Sequence, residues 1–434
     1  MNIEKTAPRD FKPVNWKPRL TAQSQLPNIF GDAFACLLPM LTFVEVEIVG
    51  RLFLPEILLL LMLPFLLIFR GHLLLEPLPK KLILLGFIWL LSQIATDIIR
   101  DTPIEDSSRG VSKIIFLLLN FSSVYLYING KKNRLFMFAL GIALGQILMY
   151  FINPNIYAEN YPWKFGYGSG VTLLIVLAAQ FRFFSRRKLL SAIIILSAGL
   201  LNFYTDFRSL GLICALTGGF IIITKSVSFG YHAIKRADVA KLILFGGIAI
   251  YAITAFYRYS VNDDWFGEEV REKYLLQSTG DMGLLLGGRA EILASSQAII
   301  DSPIIGHGSW AKNPKYVDTM LDALSQRGYA LQGALNDDLI PTHSYIMGAW
   351  VEAGLAGAIF WFFALMLTLR CLTVCYQTNA TYTPLISFIA FNLLWNIPFS
   401  PFGAEGRLFS AYDLSLMIVT LSMTRYLATS KLPA

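Results

Sequence analysis

Long apolar segments separated by short polar ones dominate this chain. Apolar runs of roughly 17 to 20 residues recur along it, which is the length that a membrane-spanning helix needs. Runs such as 57–69 are continuously apolar, whereas the strands of a spanning β-barrel alternate between apolar and polar side chains. The pattern therefore predicts an all-α integral membrane protein with about twelve transmembrane helices.

The predicted helices are separated by short connections, with one exception. The segment 259–342 is mostly polar and too long for a turn, and its apolar spacing predicts helices at 265–276, 289–301 and 316–331. The twelve predicted membrane helices are 30–49, 52–69, 82–99, 113–129, 135–152, 168–183, 189–205, 209–225, 242–258, 343–367, 382–398 and 406–424.

Composition agrees with this class of protein. Apolar residues make up 55% of the chain and charged residues only 15%, whereas soluble domains contain roughly a quarter charged residues. The net charge of +7 follows the topology, because basic residues cluster in short connections such as 131–134 and 182–188. The positive-inside rule then places both termini in the cytoplasm, and the charge does not indicate a nucleic-acid partner.

The predicted organisation has five parts. They are a cytoplasmic tail at 1–29, nine transmembrane helices within 30–258, a periplasmic loop at 259–342, three helices within 343–424, and a cytoplasmic tail at 425–434.

A histidine lies where the long loop meets a membrane helix. In Pro341-Thr342-His343, proline disfavours helix before it and threonine is a plausible N-cap, so His343 is predicted in the first helical turn. The partial positive charge of a helix N-terminus disfavours imidazolium, which keeps such a histidine neutral and suited to general-base chemistry. The alternative is an interfacial or capping histidine.

Two arginines are predicted on the same side of the membrane. Arg208 lies in the short connection before the eighth predicted helix, and Arg289 begins the middle loop helix after two glycines. A guanidinium beside a helix N-terminus favours a bound anion such as pyrophosphate. Alternatively, Arg208 pairs with Asp206 at the membrane interface and Arg289 is a solvated loop residue.

The motifs around these three residues resemble those of the bacterial O-antigen ligase and O-antigen polymerase superfamily. That superfamily carries His-Ser or His-Asn, nine residues, then Gly-x-x-Gly, as in His343-Ser344 and Gly354-Leu355-Ala356-Gly357. Its ligases carry Arg-x-x-x-Leu, matched by Arg208 and Leu212, and its Gly-Arg element and Pro-x-x-Gly-x-Gly turn are matched by Gly288-Arg289 and 303–308. The chain departs from the ligases at Ala358 and in lacking a tryptophan in the helix after Arg289.

The resemblance implies a membrane glycosyltransferase of GT-C-like architecture in the bacterial inner membrane. Its donor would be an undecaprenyl-pyrophosphate-linked glycan, with His343 as catalytic base and Arg208 and Arg289 holding the pyrophosphate, without metal or other cofactor. The two departures favour a polymerase of lipid-linked polysaccharide repeat units, with a chain-length regulator as a candidate partner. The alternative is a ligase acting on lipid A-core, and a remoter one is a polytopic transporter or lipid flippase.

Five further residues are secondary site candidates. Glu45 and Glu47 form an acidic pair of the kind that can hold a divalent cation, but one helix would present them on different faces, and Arg51 is a nearby partner. Asp338 could orient the imidazole, and Glu352 lies in the predicted helix after His343.

Overall fold

The architecture comes from a computed structural model. It describes residues 28–47, 50–185, 187–224, 289–326, 338–378 and 382–429, with isolated residues between 247 and 275. The predicted helices 242–258 and 265–276 lie, apart from such isolated residues, outside the described part of the chain. The same holds for residues 327–331 of the third predicted loop helix.

Helices form almost all of the described structure. In chain order they are α1 (Ile29–Met40), α2 (Leu54–Arg70), α3 (Pro77–Ile99), α4 (Ile104–Ile128), α5 (Lys132–Ile152), α6 (Ile156–Asn160), α7 (Gly168–Ala178), α8 (Arg182–Ser185), α9 (Lys188–Tyr204), α10 (Arg208–Ile223), α11 (Glu291–Asp301), α12 (Pro314–Ser325), α13 (Tyr345–Ala353), α14 (Leu355–Thr378), α15 (Thr383–Phe399) and α16 (Ala404–Thr429). One short antiparallel hairpin joins β1 (Glu45–Glu47) to β2 (Arg51–Phe53).

Five helical segments of the described chain are long and apolar enough to cross a membrane. Shorter apolar helices include α9, α10 and α15; α15 packs against α14, and α10 packs against α9 and α15. The protein is thus an all-α, multi-pass membrane protein, as predicted. The five segments are Leu54–Leu75, Pro77–Ile99, Ile104–Ile128, Lys132–Ile152 and Leu355–Tyr376.

The ends of several helices meet the loop helices α11 and α12 on one side of the bundle, here called the loop side. Arg100, just after α3, donates a hydrogen bond of 3.0 Å from Nε to the carbonyl of Gly306. Lys113 of α4 forms an ion pair with Glu352 of α13, and Arg289 reaches the carbonyl of Phe399 at the end of α15. The loop segments are therefore fixed directly to the membrane helices.

A buried ion pair holds α2, α4 and α16 together below that side. The Glu56 carboxylate is fully buried and lies 2.7 Å from Arg407. It also accepts hydrogen bonds from the Asn120 amide (2.9 Å) and the Phe53 backbone N–H (3.1 Å). A buried carboxylate is tolerated here because each of its oxygens has a partner.

The first predicted helix, 30–49, is wrong in its second half. The α-helix stops at Met40, one residue after Pro39, and a short 3-10 turn ends at Phe43. Val44 is extended, and Glu45 enters β1, where it pairs with Phe53 of β2. Proline near the helix end and the β-branched residues that follow explain the change from helix to strand.

The tenth predicted helix, 343–367, is also wrong, because it is two helices broken at Gly354. Gly354 has φ +69°, and a Cβ atom there would overlap the carbonyl of Ile304. The N–H of Leu355 donates to that carbonyl (3.2 Å), and the N–H of His307 donates to the carbonyl of Val351 (2.7 Å). The turn 303–308 therefore satisfies backbone groups that the break leaves without helical partners.

Candidate functional site

His343 lies ahead of a helix rather than in its first turn. Ser344 is the N-cap of α13, because its hydroxyl accepts from the N–H of Met347 (3.2 Å) and donates to the carbonyl of Ile397 (2.9 Å). The predicted N-cap, Thr342, is therefore wrong by two residues. The second serine contact ties the start of α13 to α15, which fixes the backbone beside the imidazole.

The pKa of His343 is lowered from its ordinary value of 6.5. The largest cause is burial, since neighbouring protein atoms reduce the hydration of imidazolium, although the residue is exposed at the protein surface. The negative charge of Glu291 raises the pKa and the positive charge of Arg289 lowers it, by less than burial. The imidazole is thus neutral at neutral pH and able to accept a proton.

Arg289 lies two residues before α11, not at its first position. Its guanidinium donates to the carbonyl of Phe399 (2.5 Å) and lies over the rings of Phe399 and Trp395, 5.2 and 5.8 Å from their centroids. Burial lowers the pKa of Arg289 and Glu291 raises it, but an arginine stays charged at neutral pH. Arg289 and Glu291 both act electrostatically on His343, so the two charges lie near the same imidazole.

Arg208 is the first residue of α10, and its Nε lies 3.3 Å from the carboxylate of Asp206. Asp206 also lies 3.4 Å from Lys164. This ion pair matches the structural alternative for Arg208, and the carboxylate of Asp206 lies between two cations. Nothing in the described structure brings the Arg208 guanidinium itself into contact with His343 or Arg289.

Two cavities meet at the segment 342–345. The larger has a volume of about 840 Å³ and the smaller about 280 Å³. Thr342 and Ser344, on either side of His343, line the larger cavity, and Tyr345 lines both. His343 itself lines neither cavity, so the candidate base lies beside the larger space rather than in its wall.

The smaller cavity approaches both arginines. Phe207 and Ser209, the neighbours of Arg208, line it, and so does Trp395, on which Arg289 stacks. Asp413 of α16 also lines it, 7% exposed and reached by no hydrogen bond or ion pair from another described residue. Neither arginine lines the cavity itself, and Asp413 is the one charged residue among its lining residues.

The larger cavity mixes charged and aromatic groups. Trp89, Tyr345 and Phe402 form part of an aromatic cluster with Trp361, with ring centroids 4.8 to 6.3 Å apart. The charged residues along its walls are Arg51, Arg109, Lys113, Glu47, Glu105, Glu352 and Arg407.

The secondary candidates lie along the wall of the larger cavity or at its edge. Glu352 pairs with Lys113 at 2.5 Å, and Arg51 pairs with Glu405 at 2.9 Å and lies 3.9 Å from Glu45. Asp338 is exposed, and its backbone carbonyl accepts a hydrogen bond from the N–H of Asn313. The expected contact of its side chain with the imidazole of His343 is not seen.

Contrary to the prediction, Glu45 and Glu47 do not lie on different faces of a helix. Both lie in strand β1, where residues two apart share one face. Glu45, however, accepts from the side-chain amide of Asn153 (3.0 Å) and faces Arg51. Among the residues that the structure describes, no three His, Cys, Asp or Glu side chains come together as a metal site.

Three residues near the site were missed by sequence reasoning. Glu291 acts on both His343 and Arg289, Lys113 neutralises Glu352, and Trp310 lines the larger cavity. Glu291 lies two residues after Arg289, which is a usable signal for it. Lys113 and Trp310 are distant in sequence from their partners, and only the tertiary structure brings them to the site.

Compared with known proteins, the chain matches no family model and no curated protein sequence. The resemblance to the O-antigen ligase and polymerase superfamily rests on the motifs quoted above. Two of those motifs are in contact: the turn 303–308 lies against the Gly354 break.

Proposed function

We propose that this protein is a membrane glycosyltransferase that moves a glycan from a polyprenyl pyrophosphate carrier to a sugar hydroxyl on the loop side. The observation that carries the proposal is the position of His343. A neutral histidine lies beside Arg289 and Glu291, and the residues on either side of it, Thr342 and Ser344, line the larger cavity. A base next to a cavity and beside a cation can accept a proton from one bound molecule while charge builds on the leaving group of another.

In the proposed reaction, His343 accepts the proton of the acceptor hydroxyl as its oxygen bonds to the anomeric carbon of the donor. The bond from that carbon to the pyrophosphate oxygen breaks, and its electron pair stays on the leaving pyrophosphate. Arg289 and Arg208 offset that developing charge. This single displacement inverts the anomeric centre and assigns no step to a metal ion.

Polymerisation of lipid-linked repeat units remains the preferred form of the proposal, with the loop side facing the periplasm of a bacterial inner membrane. Transfer to a lipid A-core acceptor uses the same chemistry and differs in the molecule that fills the acceptor space. Supplying each acceptor separately distinguishes the two activities.

The test uses purified full-length protein with a lipid-linked repeat-unit donor. We expect wild-type protein to extend lipid-linked chains without lipid A-core and in the presence of a chelator. The His343→Ala variant should lose product by at least about a hundredfold, the scale expected for removal of a general base. Chromatography of the glycolipid products measures both outcomes.

The matched control is His72→Ala. His72 is exposed and lies in the turn Gly71–Leu75 after α2, outside the linings of both cavities. This variant should retain wild-type activity. Normal product from His343→Ala, or equal losses in both variants, would contradict the proposed role of His343.

A further inference from the structure

Trp310 has a backbone conformation that its side chain disfavours. Its φ is +51°, one of three positive values among non-glycine residues in the described chain. A bulky residue rarely adopts this left-handed region, and such strain persists where the surroundings enforce it, often at functional sites. The side chain is also 41% exposed, so burial of the indole does not explain why a tryptophan occupies this position.

A buried polar network holds the residue before it. Ser309 donates to the carboxylate of Asp97 from both its N–H and its hydroxyl, each at 2.7 Å. Gln93 donates to the Ser309 hydroxyl (2.9 Å) and Ser107 to Asp97 (3.0 Å). Because Asp97 is 4% exposed and Ser309 1% exposed, this network fixes the backbone from which Trp310 projects.

Trp310 lines the larger cavity, with the guanidinium of Arg109 5.7 Å from its ring centroid. Cationic groups on that wall have anionic partners: Lys113 pairs with Glu352, and Arg51 with Glu405. A wall of paired charges offers donors and acceptors without a large excess charge. It suits a hydroxyl-rich, uncharged ligand better than a pyrophosphate.

The same wall is connected to His343. The N–H of Ile340 donates to the carbonyl of Ala311 (2.9 Å), and Lys312 forms an antiparallel bridge with Leu339. The segment after Trp310 is thus paired with the segment that leads into His343. A ring held on Trp310 is thereby positioned relative to the imidazole by backbone hydrogen bonds.

We propose that the larger cavity binds the acceptor glycan and that Trp310 is the surface on which one of its sugar rings stacks. The C–H groups of a sugar ring pack against an aromatic face, while its hydroxyls bond to the charged pairs around it. The cavity of about 840 Å³ has room for several sugar units. The assignment rests on the proposed function, and it leaves the pyrophosphate of the donor to the side that Arg208 and Arg289 border.

The test measures binding without turnover. The probe is a lipid-free oligosaccharide of one repeat unit, prepared from the polysaccharide of the organism that encodes the chain. It is titrated calorimetrically into purified full-length protein, and the thermal midpoint of each variant is recorded. The variants are Trp310→Gly and Trp310→Phe, with Tyr157→Ala as control, since Tyr157 is 64% exposed on α6 and lines neither cavity.

Trp310→Gly should weaken binding by about tenfold or more, as expected for loss of one aromatic contact. Its thermal midpoint should stay or rise, because glycine relieves the left-handed strain. Trp310→Phe should bind within about threefold of wild type, because an aromatic face remains. Tyr157→Ala should leave the affinity unchanged.

Three results would overturn the assignment. They are unchanged affinity in Trp310→Gly, a fall in its midpoint together with the loss of binding, or no binding of the oligosaccharide to wild-type protein. Failure of the proposed function looks different. Wild-type protein would then transfer no glycan, while binding of the oligosaccharide still depended on Trp310.

Discussion

At the scale of single residues, the protonation of His343 is set by three opposing influences. Burial and Arg289 favour neutral imidazole, and Glu291 favours imidazolium. Burial is the largest, so the lowered pKa depends on the packing of protein atoms around the imidazole more than on any single charge. The sequence predicts the same direction from a helix N-terminus, but Ser344, not Thr342, caps that helix.

This lowered pKa predicts the pH profile of transfer. The neutral base is lost only as the pH falls through a pKa that lies below 6.5. The acid limb of kcat/KM should therefore reach half its plateau value below pH 6.5. Initial rates at subsaturating acceptor between pH 4.5 and about 8 measure this, and a limb centred above pH 6.5 would contradict it.

The Glu291→Gln variant tests the origin of the shift. Removing a negative charge that raises the pKa of His343 should move the acid limb to still lower pH. Asp318→Asn, a change on α12 outside the linings of both cavities, should leave the limb in place. A move to higher pH in Glu291→Gln would show that this charge acts on another group.

At the scale of elements, the break between α13 and α14 determines how the loop meets the membrane helices. Nine helical residues, which begin two residues after His343, precede Gly354, and a long apolar helix follows it. Apolar periodicity runs through both helices, so the sequence predicted one span. The break depends on the carbonyl of Ile304, which is distant in the chain.

Gly354→Ala should be strongly destabilising. A side chain at φ +69° is strained and would overlap the Ile304 carbonyl, so we expect a loss of at least about 2 kcal/mol in the free energy of unfolding. Gly348→Ala is the matched control, because a Cβ atom there meets only Thr342, at 3.4 Å. It should be neutral or slightly stabilising within α13. Thermal midpoints of the purified variants measure both, and equal midpoints would contradict the assigned role of Gly354.

The elements that sequence predicted well are those with long, uninterrupted apolar patterns. Helices α3, α4 and α5 follow from such patterns, and α11 follows from its flanking glycines and Pro303. The hairpin at Glu45 was missed because three-residue strands leave almost no periodic signal. His343 and Arg289 could be singled out by their places at loop and helix boundaries, but the two cavities near them arise from contacts among distant segments.

At the scale of the whole molecule, the Glu56–Arg407 pair joins the start of α2 to the start of α16. Glu56→Gln should cost about 3–5 kcal/mol of unfolding free energy, because it leaves the charge of Arg407 buried without a counter-charge. Denaturant titration in detergent measures the loss.

The Arg51–Glu405 pair provides the control on the same side of the bundle. Its side chains are 40% and 46% exposed, so Glu405→Gln should cost less than about 1 kcal/mol. Similar losses from Glu56→Gln and Glu405→Gln would mean that burial does not govern the strength of these pairs.

The docking of 303–308 onto Gly354 also has an evolutionary consequence. The two segments approach each other closely at glycines. Gly306, at φ +87°, lies against the backbone of Gly354, and Gly354 lies against the backbone of Ile304. A change on one side is tolerated only with a matching change on the other. Lineages that descend from this chain should inherit the two segments as a single unit, and a loop transplanted from a distant homologue should function only when it arrives with its own helix break.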